Sequence, residues 1–193
     1  SGINIRYNGP HISFNSQTSY QYIQDKMGID QDFSPRNIFY GQNKIRQHMY
    51  CQEFTVKSVN KSRYHWITGA FVFRQTINRK VDLSRFTDTT RHLTNSGIPT
   101  QGIAFYHQST LDLLQGLSCS VGLRYDYEHA RCDFSKVQQP LNGNGETKSL
   151  EQFNRSLHFG QFTPRFSMQY LSSHNQLFYA SVSKGYKAGG FNV

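Results

Sequence analysis

The residues best suited to chemistry are scattered along the chain without the spacing that chemistry requires. The chain has eight histidines, but none forms an HExxH motif or a paired ligand spacing, so no metal site is predicted. The stretch Gly143-Asn144-Gly145 lacks the Gly-Lys-Ser/Thr ending of a phosphate-binding loop. No GxSxG nucleophile elbow occurs. The sequence therefore predicts a protein that is not an enzyme and that uses no cofactor.

One pair of carboxylates has a spacing compatible with acid–base catalysis. Asp126 and Glu128 lie two residues apart, and Arg124 precedes Asp126 by the same step. In a β-strand this spacing places all three side chains on one face. An ion-pair network is the simpler interpretation than catalysis, so we expect Arg124, Asp126 and Glu128 to face water or the lumen of a barrel.

The cysteines and the net charge exclude further classes of protein. Cys51, Cys119 and Cys132 form no CxxC pair, and an odd number leaves at least one thiol without an internal disulfide. The net charge is +9, but the basic residues are dispersed and no recognised nucleic-acid module accompanies them. No nucleic-acid partner is predicted.

The elements that must position these residues are strands. Eight segments alternate apolar and polar residues with the period of two that is typical of β-structure. They span 3–8, 11–22, 45–58, 63–76, 101–111, 117–128, 155–170 and 179–183. The clearest is 117–128, where Leu117, Val121 and Leu123 share one face and Ser118, Ser120 and Arg124 the other.

The connections between these segments alternate between short and long. Long polar stretches cover 24–44, 77–99 and 134–154, and they are expected to be loops. Tight turns and long external loops at opposite ends are typical of outer-membrane barrels. No run of about 18 apolar residues could form a spanning helix. We therefore predict an all-β fold, an antiparallel transmembrane β-barrel segment of about eight strands.

Aromatic residues lie near the ends of the predicted strands, where barrels carry interfacial girdles. They are Tyr20, Tyr22, Tyr64, Trp66, Tyr125, Tyr127, Tyr170 and Tyr186.

The last residues of the chain combine a strand with a glycine-rich corner. Ser181 and Ser183 share one face, which is expected to face the lumen with Arg124, Asp126 and Glu128. The string GYKAGGFN follows, formed by Gly185, Tyr186, Lys187, Ala188, Gly189, Gly190, Phe191 and Asn192. It resembles a barrel segment of TonB-dependent outer-membrane receptors, especially the siderophore-receptor branch.

Other segments resemble the same family in the same order. Trp66, Gly69, Phe71 and Phe73 occupy the positions of a WxxGxFxF pattern. A GLRYD hairpin end follows at 122–126 and a TPRF strand at 163–166. Together the similar segments extend over most of residues 45–193.

The resemblance implies a partial β-barrel domain over residues 1–193, without the family's plug domain and its closing strands. It implies a receptor in the outer membrane of a Gram-negative bacterium that takes up a ferric siderophore or a similar scarce ligand. The implied partners are TonB, acting through the plug region, that small ligand, and outer-membrane lipid or lipopolysaccharide. The alternatives are a complete eight-stranded barrel that acts as an anchor or adhesin, and a soluble all-β binding domain.

Basic residues in the predicted loops could attract an anionic iron complex or lipopolysaccharide. They are Lys26, Arg36, Lys44, Arg79, Lys80, Arg85, Arg91, Lys136 and Lys148. Lys184 conflicts with simple alternation, which places it on the lipid side with Val182. Either it lies at the headgroup level or a bulge resets the strand there.

Overall fold

The chain folds into one antiparallel sheet in the computed structural model, which describes residues 1–59 and 62–192. The strands follow one another in chain order, each hydrogen-bonded to the next. They are β1 (Gly2–Asn8), β2 (Ile12–Asp30), β3 (Phe39–Ser58), β4 (Tyr64–Arg85), β5 (Thr90–Leu114), β6 (Leu117–Pro140), β7 (Lys148–Leu171) and β8 (Leu177–Ser183). The described residues contain no helix that is long and apolar enough to cross a membrane. The all-β prediction is confirmed.

The sheet remains open at both sides. Within the described residues, β1 pairs only with β2 and β8 only with β7. A complete small barrel would need β1 and β8 to pair with each other, and a sandwich would need a second packed sheet. The observed pairing therefore favours neither a complete small barrel nor a soluble sandwich.

The central strands are longer than the sequence predicted. They run from 19 residues in β2 to 25 in β5, whereas about 9–11 residues cross a bilayer. The prediction of long loops over 24–44, 77–99 and 134–154 is wrong, because only 31–38, 86–89 and 141–147 connect the strands at that end. In these upper parts the alternation inverts its phase, because small or apolar side chains such as Val81, Leu83 and Cys132 lie on the inner face and polar side chains on the outer face.

The register divides the side chains between two faces, since residues directly opposite in an antiparallel pair lie on the same side. One face, here called the inner face, carries all the residues that are buried in the described part of the chain. They are Ser13, Gly41, Ser96, Gly102, Ala104, Ser118, Ala130 and Cys132. Burial of small residues on one side only fits a sheet that curls towards that side, as a barrel wall does.

The other face, the outer face, has two zones. In the lower zone, which includes residues 64–73 of β4 and 117–128 of β6, its side chains are mostly apolar and many are exposed, although Thr18, Gln52 and Thr68 are polar. Exposed apolar examples are Phe54, Val72, Ile103, Phe105, Val121, Leu123, Phe162 and Phe166. In the upper zone, which includes 74–85 and 129–140, they are mostly polar or charged, with Asp82 and Asp133 among the basic residues and Leu93 and Val137 as apolar exceptions. The lower zone rises about 33 Å along a strand, which at barrel tilt is close to the ~25 Å apolar band of membrane barrels.

The predicted aromatic girdle lies at both ends of the lower zone. Tyr64, Trp66 and Tyr170 are on the outer face near its lower end. Near its upper end are Tyr20, Tyr22, Tyr125 and Tyr127, and the rings of Tyr20 and Tyr50 lie 4.6 Å apart. Tyr186 is outside the strands.

The turns at the lower end are short. Only Gln115 and Gly116 connect β5 and β6, since Leu113 and Leu114 still belong to β5. Gly116 has a φ of +78°, and a Cβ there would lie 2.2 Å from the carbonyl oxygen of Leu171, so the turn requires glycine. The predicted hairpin turn from Val59 to Ser62 includes Asn60 and Lys61, which lie outside the described residues.

Candidate functional site on the inner face

A polar cluster spans four strands on the inner face of the lower zone. The Tyr106 hydroxyl on β5 donates to Glu53 Oε1 on β3 at 2.9 Å and lies 2.9 Å from Thr55 Oγ1. On β6, Arg124 Nε and Nη2 donate to Asp126 at 2.9 and 2.8 Å. The Arg124 guanidinium carbon is 5.9 Å from the centroid of the Tyr106 ring, within the range of a cation–π contact. These contacts form one network from β3 to β6.

A glycine on β4 makes this network possible. Tyr106 must cross β4 to reach Glu53, and the residue opposite Tyr106 on β4 is Gly69. A Cβ at Gly69 would lie 2.4 Å from both Cζ and Oη of Tyr106, closer than any real contact. Phe73 lies over Gly102 on β5 in a similar way, at 2.5 Å from the position of a Cβ. The glycine of the WxxGxFxF pattern therefore provides the space for an aromatic side chain.

The residues predicted to face a lumen share the inner face. Arg124, Asp126 and Glu128 alternate along β6 with outer-face residues, and Ser181 and Ser183 on β8 lie opposite Ser167 and Arg165. The predicted ion pair between Arg124 and Asp126 is present. Glu128 accepts no hydrogen bond from Arg124 within the described part.

Sequence reasoning did not single out Tyr106 or Thr55. It did not single out Glu53 either. The alternation of side chains along β5 was the available indication. Phe105 faces outward with the apolar residues of β5, so Tyr106 lies on the polar side of the strand. A tyrosine hydroxyl in that position needs a polar partner.

An open cleft of about 370 Å³ lies beside the cluster. Glu53, Tyr106, Arg124, Arg165 and Lys184 contribute to its lining. Both signs of charge are present, and no group of three or more metal-ligating side chains occurs among the described residues. The cleft can hold a polar chain segment or ligand by hydrogen bonds and ion pairs.

The conflict posed by Lys184 is removed by the end of β8. Regular pairing ends at Ser183, and the Lys184 N–H donates to the Pro164 carbonyl at 3.1 Å. Beyond that bond the alternation no longer applies, and Lys184 lines the inner-face cleft.

The GYKAGGFN segment packs against the sheet beyond the end of β8. Residues 185–192 form no strand. A Cβ at Gly189 would lie 2.6 Å from Phe159 Cζ, so the segment passes against the inner face of β7. β7 continues above Phe159 to Lys148. The motif therefore lies near the middle height of the sheet, at the top of the lower zone, because Phe159 lies opposite Glu128.

The basic residues assigned to loops are mostly on strands. Arg36 alone lies in a connection; the others belong to β2, β3, β4, β5, β6 or β7. Arg91 donates to Asp82, and Arg85 lies 3.5 Å from Asp88. The loop assignment was therefore wrong, because the upper zone is strand.

The 31–38 connection at the upper end is organised by one carboxylate. Asp32 Oδ1 accepts from the Ser34 hydroxyl at 2.6 Å and the Ser34 N–H at 2.9 Å. Its Oδ2 accepts from the N–H groups of Ile38 and Phe39 at 3.0 and 2.8 Å. These bonds, led by that of the Ser34 hydroxyl, lower the pKa of Asp32 to about 2, since each favours the charged form.

The family model described as "TonB dependent receptor-like, beta-barrel" matches residues 2–193. The crystal structure of the ferric yersiniabactin uptake receptor FyuA from Yersinia pestis matches with a TM-score of 0.82 and 14% identity, covering 97% of this chain and 28% of that chain. The unliganded ferric citrate transporter FecA matches with a TM-score of 0.48 and 11% identity, over 95% of this chain and 31% of that one. The ferric-catecholate import receptor Fiu from E. coli K12 matches with a TM-score of 0.37 and 11% identity, covering 92% of this chain and 36% of that chain. The FyuA match shows a shared fold, and this chain spans about 28% of its length.

Proposed function

Because the chain belongs to the TonB-dependent receptor β-barrel family, we propose that it forms part of a receptor for TonB-energised uptake of a ferric siderophore or a similar scarce ligand. Members of this family are transporters of the Gram-negative outer membrane and not enzymes. The observation that carries the proposal is the family match over residues 2–193. The apolar outer face of the lower zone supports it, because such a face suits lipid.

The proposal assigns the inner face to the lumen. Arg124, Asp126, Glu128, Ser181 and Ser183 would then face a plug or the passing ligand. The cleft beside Tyr106 offers both signs of charge for such contacts. TonB would act through a plug, and lipopolysaccharide would contact the outer face.

The open edges support a larger barrel. Unpaired strand edges are untenable in lipid, so β1 and β8 need further strands beside them. The FyuA match, which covers 28% of that chain, is consistent with one sector of such a wall. On this proposal the 193-residue segment expressed alone transports nothing, and measurable uptake by cells that make only this segment would contradict it.

Growth under iron limitation tests the function. We expect a strain without the gene to lose growth on one or a few ferric siderophores from a panel, and a strain that lacks TonB to lose the same ones. Restoring the intact gene should restore growth. Unchanged growth on every iron source would contradict the proposed cargo class, and growth that persists without TonB would contradict the energy source.

A further inference from the structure

Two histidines lie side by side on the outer face, just above the lower zone. His129 on β6 and His158 on β7 are directly opposite each other. Their rings are stacked, with centroids 4.3 Å apart and an angle of 6° between the planes. His158 is exposed and His129 is half-buried. The two residues are far apart in the sequence, so only the register of β6 and β7 makes them neighbours.

One of the two rings is oriented by a tyrosine. Both side chains extend from the same face of the sheet, so the far edges of the rings, which carry Nε2, point away from it. The Tyr127 hydroxyl lies 3.1 Å from Nδ1 of His158. When Nδ1 carries the proton and donates it to this hydroxyl, the lone pair is on Nε2. Histidines that bind metals are commonly oriented by a partner of their second ring nitrogen.

The distance between the rings is close to the distance that one shared metal ion requires. Two imidazole nitrogens bound to the same zinc ion are each about 2.0–2.1 Å from it, and roughly 3.3 Å apart in a tetrahedral site. The Cβ atoms of directly opposite residues are about 4.5–5.5 Å apart. Rotation of the side chains of His129 and His158 from their 4.3 Å stack therefore brings both Nε2 atoms to one ion without movement of the strands.

The surroundings of this histidine pair leave the other coordination positions to water. Asp133, the nearest carboxylate on the same face of β6, accepts hydrogen bonds from Arg131 and Asn154. The ion pair of Arg131 with Asp133 also balances the charge next to His129. Two protonated rings directly opposite each other would repel, whereas two neutral rings can share a cation.

We propose that His129 and His158 bind one divalent transition-metal ion through their two Nε2 atoms, with water in the open positions. The site prefers Cu²⁺ to Ni²⁺ and Zn²⁺, because the affinity of imidazole sites follows the Irving–Williams order. Two protein ligands suit reversible binding of an ion from the medium, since structural zinc sites have four. The pair faces away from the inner-face cleft, so the inference is independent of which ligand is transported.

The test uses the receptor that contains this chain, purified without a polyhistidine tag and placed in lipid nanodiscs. Cu²⁺ binding is measured by calorimetry in the parent protein and in the variants H129Q, H158Q and H129Q/H158Q. The control is H48Q, which removes an outer-face histidine that lies opposite Tyr22 instead of a second histidine. Heat-modifiable gel migration checks that each variant is folded.

The second imidazole of a chelate binds intramolecularly, so losing either ring should weaken Cu²⁺ binding by more than about 10-fold. The double variant should bind little more weakly than either single variant, because one ring alone does not chelate. We expect Tyr127→Phe to weaken binding by about 10-fold and H48Q to bind as the parent does. Electron paramagnetic resonance of bound Cu²⁺ should show two imidazole nitrogens in the parent.

Parent-like binding by H129Q or by H158Q would overturn the proposal and leave the stacked pair a packing contact only. An equal loss in H48Q, or a spectrum with one nitrogen in the parent, would overturn it as well. None of these measurements depends on uptake.

Discussion

The two zones of the outer face belong to the same strands and differ in what surrounds them. In the lower zone Phe105, Leu123 and Phe166 are exposed on the outer face. In the upper zone Arg46, Asn78 and Lys80 occupy the same side of neighbouring strands. The pairing passes from one zone to the other in β4 and β5 without a break. Backbone hydrogen bonds therefore hold β4 and β5 together in both zones. The side-chain pattern reflects only what surrounds each zone.

Two glycines, one in each zone, differ in how closely a neighbouring side chain approaches the backbone. Gly69 in the lower zone has the Tyr106 ring where a Cβ would lie. Gly97 in the upper zone has only Asn78 Oδ1, at 3.4 Å from that position. Gly69 thus depends on a specific contact that Gly97 lacks, although the upper zone also contains a close approach, with the Tyr40 hydroxyl where a Cβ on Gly28 would lie.

The largest difference between the zones should follow from a charge on the outer face. Leu123→Arg places a cation near the middle of the apolar zone, where the expected cost is about 2–4 kcal/mol, and Asn78→Arg in the upper zone should cost about 0–1 kcal/mol. Urea unfolding of the receptor in lipid, followed by gel migration, measures both. Similar losses would mean that the lower zone is not in contact with lipid.

A smaller loss should follow from filling a glycine. Gly69→Ala forces Tyr106 aside and separates it from Glu53, so we expect about 1–3 kcal/mol of destabilisation. The matched change Gly97→Ala should stay within about 0.5 kcal/mol. The same unfolding assay distinguishes the two variants. If Gly69→Ala left the free energy of unfolding unchanged, Tyr106 would not cross β4.

Removing the Arg91–Asp82 ion pair should have a still smaller effect. The side chains are 41% and 23% exposed, and exposed pairs contribute about 0–1 kcal/mol. We expect Arg91→Gln to lower the unfolding free energy by less than about 1 kcal/mol, with less effect in high salt. A loss comparable to that of Leu123→Arg would contradict the description of the upper zone as a water-exposed ribbon.

The smallest effect is local and depends on pH. The pKa of Asp32 is about 2 in the folded chain, below its ordinary value, so its bonds contribute fully above about pH 4 and are lost as the pH falls towards 2. Hydrogen-exchange protection of the Ile38 and Phe39 amides should fall over that range. In Asp32→Asn, which cannot titrate, protection should show no such transition; the same transition in both proteins would assign it to another group.

The sequence predicted the parts of the fold in which one face meets lipid and the other does not. The alternation at 117–128 correctly located the lower part of β6, and Gly116 marked its turn. It failed above that level: 129–140 continues β6, but Ala130, Cys132 and Phe134 place the small and apolar residues on the opposite face from Leu123, so the phase of the alternation inverts there. The Arg124–Asp126 pair was predictable because its members are two residues apart. Tyr106 and Glu53 are not close in sequence, and their contact depends on the register of β3, β4 and β5.

The two-zone account is tested most directly by spin labels placed one at a time along β6, from Leu117 to Pro140, in the receptor with its native cysteines replaced. We predict that odd-numbered positions from 117 to 127 are accessible to oxygen and even-numbered ones are not, because the odd positions face lipid. From 129 upwards, outer-face positions should instead be accessible to a water-soluble nickel chelate. Oxygen accessibility that alternates unchanged to the end of β6, or that fails to alternate below Tyr127, would contradict the account.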